Sequence, residues 1–186
     1  MPDSYSAESL LTDSSDSDKS TRDTIKQMYR IVRSYTASQT VVDALQDALA
    51  GLNHTAPDRE KISRIFYWIR KEIKFTNDPI RISKLLPSVK DPTNTELLIV
   101  PDLLLKLKSG DCDCFSMLAS AMLRSCGIFT RFITVAADKN YPTIFSHVYL
   151  EAFDKQHRVW IPFDASHGHS PDWEHKEVTR RYVWTD

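Results

Sequence analysis

Cys112 directly follows Gly110 and Asp111 at the head of an apolar helical stripe, while His147 and Asp164 fall in two later segments of alternating pattern. A thiol at a helix start gains from the unpaired backbone N–H groups and the positive end of the dipole, which favour thiolate. The same N–H groups suit an oxyanion once a carbonyl carbon is attacked. Asp111 and Asp113 push the thiol the other way, so activation needs a basic partner. An imidazole held by a carboxylate can take the thiol proton and stabilise the imidazolium that results.

Strand arithmetic supplies that partner. If Ile144 to Phe153 and Arg158 to Asp164 are joined by a symmetric turn centred between Lys155 and Gln156, Phe153 faces Arg158 and His147 lies opposite Asp164. Val148, Leu150 and Ala152 then share an apolar face with Val159, Ile161 and Phe163. His147, Tyr149, Glu151, Trp160 and Asp164 share the other. Pro162 cannot donate to a ladder, which places its strand at an edge or turns that position outward.

The elements that must position these residues follow the same patterns. The stretch from residue 1 to 23 is Ser- and Asp-rich and is expected to be a disordered tail, with the folded domain over 24–186. Ile25, Met28, Ile31, Val32 and Tyr35 make one helical stripe, and Val41, Val42, Leu45, Ala48, Leu49 and Leu52 a second that Gly51 closes. Pro57-Asp58 opens a helix with Ile62, Ile65, Phe66, Ile69 and Ile73 on its apolar face. Prolines at 79, 87 and 92 make 76–100 a surface connection of the kind that borders active sites. Pro101 to Lys108 reads as one or two helical turns. Asp111 is a good N-cap for a helix from Cys112 to about Ser125, buried along Phe115, Leu118, Ala119, Met122 and Leu123 and stopped by Gly127. Phe129 to Ala137, Ile144 to Phe153 and Arg158 to Phe163 read as strands, and Lys176 to Trp184 offers one more. Helices followed by an antiparallel sheet predict an α+β fold.

At 186 residues and 21.4 kDa the chain suits one domain. With 24 basic against 25 acidic side chains, no global field favours nucleic acid or an anionic membrane. No apolar run approaches a membrane span and the first eleven residues lack signal-peptide character, so synthesis in the cytoplasm is the expectation. Cys112 and Cys114 are too close to bridge easily, which leaves Cys126 as the remaining partner and argues against a disulfide framework.

In order along the chain, Gly110-Asp111-Cys112-Asp113 with Phe115, Leu118, Leu123-Arg124, Gly127-Ile128 and Arg131 resembles the nucleophile helix of the transglutaminase-like superfamily, especially its small bacterial and phage members. Ser146 to Glu151 resembles that family's His strand, and Trp160 to Ala165 its Asp strand. The likeness covers roughly residues 58 to 166. It implies Cys112 as nucleophile, His147 as general base then acid, Asp164 as orienter, and a papain-like core. Cys114 stands where small members usually repeat Asp, which sets a rival thiol beside the nucleophile. No convincing counterpart of a side-chain oxyanion donor is found in the sequence, Asn77 and Trp68 being the two positions weighed for it.

The resulting expectation is a cysteine amide hydrolase working through a thioester, because a small domain leaves the thioester open to water. Transfer to an amine is the alternative, and so is a non-catalytic phage or virion module that keeps the fold. The expected partner is a peptide or protein substrate, such as a peptidoglycan peptide; no cofactor or metal, nucleic acid or membrane is expected. A zinc site of Cys112 and Cys114 with His167, His169 and His175 has poor spacing.

Overall fold

The computed structural model describes residues 7–11, 17–77 and 95–186. In chain order the elements are β1 (Ala7–Leu11), α1 (Ser17–Tyr35), α2 (Gln39–Ala48), α3 (Asp58–Glu72), β2 (Lys74–Phe75), β3 (Thr95–Ile99), α4 (Pro101–Leu107), β4 (Ser109–Gly110), α5 (Cys112–Ser125), β5 (Thr130–Ala136), β6 (His147–Asp154), β7 (Val159–Phe163) and β8 (Arg180–Trp184). Helices come first and an antiparallel sheet of order β7-β6-β5-β8 follows, giving the expected α+β architecture.

The sheet and the helices meet on α5. A helix with one apolar stripe buries one face, but α5 is buried on every side from Asp113 to Leu123. It packs against α1, α2, α3 and α4 and, on its other side, against β6 and β5. Small residues at 116, 119, 120 and 121 let these neighbours approach closely, and Leu118 and Met122 are wholly inside. Emptying such a position costs about 2–5 kcal/mol. The Cys112 end of α5 is thus fixed by the core.

Two short pairings hold the loop that enters α5. Phe75 pairs with Gly110 in the parallel β2–β4 ladder, and Thr76 N donates to Gly110 O at 2.8 Å. Lys108 ends α4 in the left-handed conformation, with φ 54°, and turns the chain into β4. Tyr29 of α1 ties the helical layer to the sheet, donating to Trp184 O at 2.6 Å and accepting from Phe132 N at 3.1 Å.

Several expectations shift. α1 starts at Ser17, inside the segment read as a tail, because Thr21 Oγ1 bonds Ser17 O and Arg180 pairs with Asp18 there. Ala7–Leu11 pairs antiparallel with β3; the remainder of the first sixteen residues lies outside the described residues. The prolines at 79, 87 and 92 also lie outside them. Leu97, Leu98, Ile99 and Val100 are core rather than surface, since β3 runs beneath α5. β7 is an edge strand as Pro162 requires, and Pro162 O accepts from Asp172 N at 3.1 Å.

Candidate active site

The β6–β7 hairpin sets the site's frame. Its register pairs Asp154 with Val159, Phe153 with Trp160 and Leu150 with Phe163, two positions away from the arithmetic expected from sequence. The cause is Asp154. Its buried carboxylate accepts from Gln156 N at 3.0 Å and His157 N at 3.3 Å and bonds His157 Nδ1 at 2.7 Å, which extends β6 by one residue. Arg158, at φ 56°, closes the turn. A slip of one residue would have sent His147 and Asp164 to opposite faces, whereas this displacement keeps the same residues on each face. Val148, Leu150, Ala152, Ile161 and Phe163 line the core as expected.

On the opposite face, His147 Nε2 lies 2.7 Å from Asp164 Oδ2, and both side chains are almost wholly buried. Burial alone would raise the Asp164 pKa, but the imidazoles of His147 and His175 and the Ser166 hydroxyl outweigh it and hold the carboxyl far below its usual range. An ionised carboxylate can only accept, so the proton of this bond sits on His147 Nε2. Nδ1 is left with the lone pair that a base requires.

Asp164 is itself held by its own loop. Its Oδ1 accepts from Ser166 N, Ser166 Oγ and His167 N at 3.1, 2.7 and 3.0 Å, so Oδ2 is the oxygen offered to His147. Gly168 N donates to Asp164 O at 2.8 Å, and a Cβ at Gly168 would stand 2.6 Å from that oxygen. Arg70 of α3 donates to Ala165 O at 3.3 Å and also to Gly168 O. The loop then returns past the sheet, where Tyr149 Oη bonds Glu174.

Cys112, half-buried at the first position of α5, and His147 line one cleft of about 320 Å³. One wall is the start of α1, with the hydroxyl-bearing residues Ser17, Ser20, Thr21 and Thr24 at helical spacing. Ile25, Met28 and Val148 lie deeper. Among the described residues the lining includes Asp113 but no Lys or Arg. Ser116 fixes the approach of helix to strand, since its Oγ lies 2.6 Å from Cys112 O and 3.3 Å from Val148 O, the residue after His147.

The rival thiols are placed elsewhere. Cys114 has no solvent exposure and points its S–H at Leu97 O, 3.8 Å away. Cys126 ends α5, where burial pushes its thiol pKa up. Trp68 is not among the cleft's lining residues, and its Nε1 donates to Asp47 Oδ2 of α2 at 2.7 Å. Asn77 follows Thr76, whose N–H binds Gly110 two residues before Cys112. Asp111 caps α5 by position, with no side-chain bond to the helix start. Arg131 and Glu151 form an ion pair at 2.5 Å that Arg181 joins, so they brace the sheet.

Sequence reasoning missed Ser116, Gly168 and the return of His175 to Asp164. Only the density of histidines after Asp164 hinted at the last of these.

A family profile described as the Transglutaminase-like superfamily matches residues 43–165, well over half of the chain. Among solved structures, a candidate protease from Parabacteroides distasonis aligns with a TM-score of 0.52 at 13% identity, over 80% of this chain and 26% of that one. A candidate cysteine protease from Cytophaga hutchinsonii aligns at 0.48 and 18% identity, over 94% and 58%. A TGase aligns at 0.44 and 9%, over 90% and 37%. The chain thus spans about a quarter of the first and under two thirds of the second. At such identities the likeness speaks for the fold alone. No curated protein matches the chain by sequence. Among the described residues, no helix is long and apolar enough to cross a membrane.

Proposed function

The chain belongs to the Transglutaminase-like superfamily, and from that premise we propose that it is a cysteine amide hydrolase in which Cys112 is the nucleophile, His147 the general base and acid, and Asp164 the orienting carboxylate. The observation that carries this reading is the buried 2.7 Å bond between His147 Nε2 and Asp164 Oδ2, in a strand that opens on the same cleft as Cys112. With Nε2 committed, Nδ1 is the nitrogen that takes the thiol proton.

The thiolate attacks the amide carbonyl carbon, and the carbonyl π pair moves onto oxygen. The positive end of the α5 dipole, where Cys112 stands, suits that oxyanion. The intermediate collapses as His147 returns the proton to the departing amine, which leaves a thioester on Cys112. Water then gives a proton to Nδ1 and attacks the thioester carbonyl carbon, the C–S bond breaks, and a carboxylic acid departs as Cys112 is restored as a thiolate beside the protonated His147.

Hydrolysis is preferred to transfer because Cys112 is only half-buried in its cleft, which leaves a thioester there open to water. The substrate is a peptide or protein segment. A cleft whose described lining holds one carboxylate and no Lys or Arg suits neutral or cationic residues beside the scissile amide better than anionic ones. A peptidoglycan peptide with amidated carboxyls meets that description.

The test is product analysis by mass spectrometry with a peptide library, with and without added primary amine. A free carboxylate as the main product supports the hydrolase, and an amide of the added amine supports transfer instead. No turnover together with no Cys112 thioester would leave a non-catalytic module.

A further inference from the structure

Three imidazoles gather around Asp164, two of them at its Oδ2 oxygen. Asp164 Oδ2 has His147 Nε2 at 2.7 Å and His175 Nε2 at 3.5 Å. The His147 ring centroid lies 4.6 Å from that of His167 and 4.8 Å from that of His175. Donor atoms of His147, Asp164 and His167 lie within 4.8 Å of one another. The hydrolytic mechanism uses only the first of these contacts.

Two details suit a metal ion. His175 Nε2 is shielded from solvent, and its approach to Asp164 Oδ2, at 3.5 Å, is long for a hydrogen bond. Two ligands about 2.0–2.1 Å from a tetrahedral zinc sit about 3.4 Å apart, so this separation is that of neighbouring ligands and beyond a good hydrogen bond.

The second detail is the tautomer of His167. Asp164 Oδ1 can only accept, so the Ser166 hydroxyl donates to it at 2.7 Å. Ser166 Oγ therefore accepts from His167 Nδ1–H at 2.9 Å. His167 Nε2 is left with its lone pair outward, oriented by a hydrogen bond at the other nitrogen as metal-bound imidazoles are. His167 is exposed as a residue, and its ring packs edge-on against both Phe75 and His147.

We propose that His147, Asp164, His167 and His175 form a binding site for Zn2+ that is exclusive with the catalytic state. Three imidazoles and one carboxylate are donors that suit zinc and poorly suit Mg2+ or Ca2+. Ligation through Nε2 moves the His147 proton to Nδ1, the atom that must accept from Cys112. The loaded protein therefore holds its base in the wrong tautomer, and zinc acts here as a reversible inhibitor. The site itself does not depend on the hydrolase reading.

The experiment is calorimetric titration of the full chain with Zn2+, paired with Co2+ absorption spectra, for wild type, His167→Gln, His175→Gln and His169→Gln. Wild type and His169→Gln are expected to bind one equivalent and give intense four-coordinate Co2+ bands. His167→Gln and His175→Gln are expected to bind at least ten-fold more weakly. If His175→Gln fails to fold, the exposed His167→Gln carries the comparison. Absence of binding by wild type, or unchanged affinity in His167→Gln, overturns the site. Zinc binding by a protein that never hydrolyses would refute the proposed function and leave the site standing. Hydrolysis that zinc never slows would do the reverse.

Discussion

His147 and Asp164 meet diagonally across the β6–β7 hairpin, joined by a 2.7 Å bond from Nε2 to Oδ2, while the register carries Asp164 toward Tyr149 as its direct neighbour. The contact depends on the loop after Phe163, which turns the carboxylate back along the strand through Ser166 and His167 N–H groups. The loop after the hairpin is therefore as much a part of the site as the strands.

Asp164→Asn replaces an obligate acceptor with an amide that can present a donor to Nε2, which favours the wrong imidazole tautomer. The expected fall in kcat is on the order of 10³-fold with the fold retained, measured on a peptide substrate beside a circular dichroism spectrum. A variant keeping a tenth of wild-type activity would contradict the role assigned to Asp164.

The same residue shapes acid stability. Its folded pKa lies well below the ordinary carboxylate value of about 3.9, so the native state binds this proton more weakly than the unfolded chain does. The stability it contributes is fully present above about pH 5 and is lost as pH falls below 3.8 toward the folded pKa. Urea melts from pH 6 to pH 3 should show a steeper loss for wild type than for Asp164→Asn; parallel curves would show that the carboxylate is not held as described.

Gly168→Ala brings a methyl 2.6 Å from Asp164 O and 3.2 Å from the Trp173 ring. The backbone oxygen cannot move aside, so the loop must shift, at about 2 kcal/mol or more, and take Asp164 with it. Gly51→Ala serves as the comparison. It meets nothing within 4 Å and carries only the cost of its φ of +75°. Loss of activity in Gly168→Ala alone is the expected outcome of paired thermal melts and rate measurements.

Ser116→Ala removes the hydroxyl that bridges Cys112 O and Val148 O. One lost buried bond costs about 1 kcal/mol, read as a lower urea midpoint. A several-fold drop in kcat with KM unchanged is expected as well, because the hydroxyl sets the thiol-bearing helix against the His strand.

The parts of the fold that were readable from sequence are those governed by period. The α5 stripe, the two faces of the hairpin and the edge position of Pro162 all follow from alternation or from proline's missing donor. What stayed hidden depends on tertiary partners. The register turned on one buried carboxylate, Asp154, whose bonds to Gln156 and His157 no pattern announces. β3 is core although its approach is rich in proline, since burial of Leu97 to Val100 depends on α5 lying over it. α1 reached back to Ser17 because Asp18 meets Arg180, 162 residues away. At the site, Cys112 and the His147–Asp164 pair were legible. Histidines 167 and 175 were noticed only as a poorly spaced cluster, because their convergence is made by a loop with no period.

The most direct test of the central claim is the rate of iodoacetamide alkylation at each cysteine between pH 4 and 9, followed by mass spectrometry in wild type and His147→Ala. Cys114 is sealed in the core and burial raises the Cys126 thiol, so neither should compete. Selective alkylation of Cys112 well below pH 8, lost in His147→Ala, is the expected result. Equal, slow labelling of Cys112 and Cys126, unchanged by His147→Ala, would contradict it.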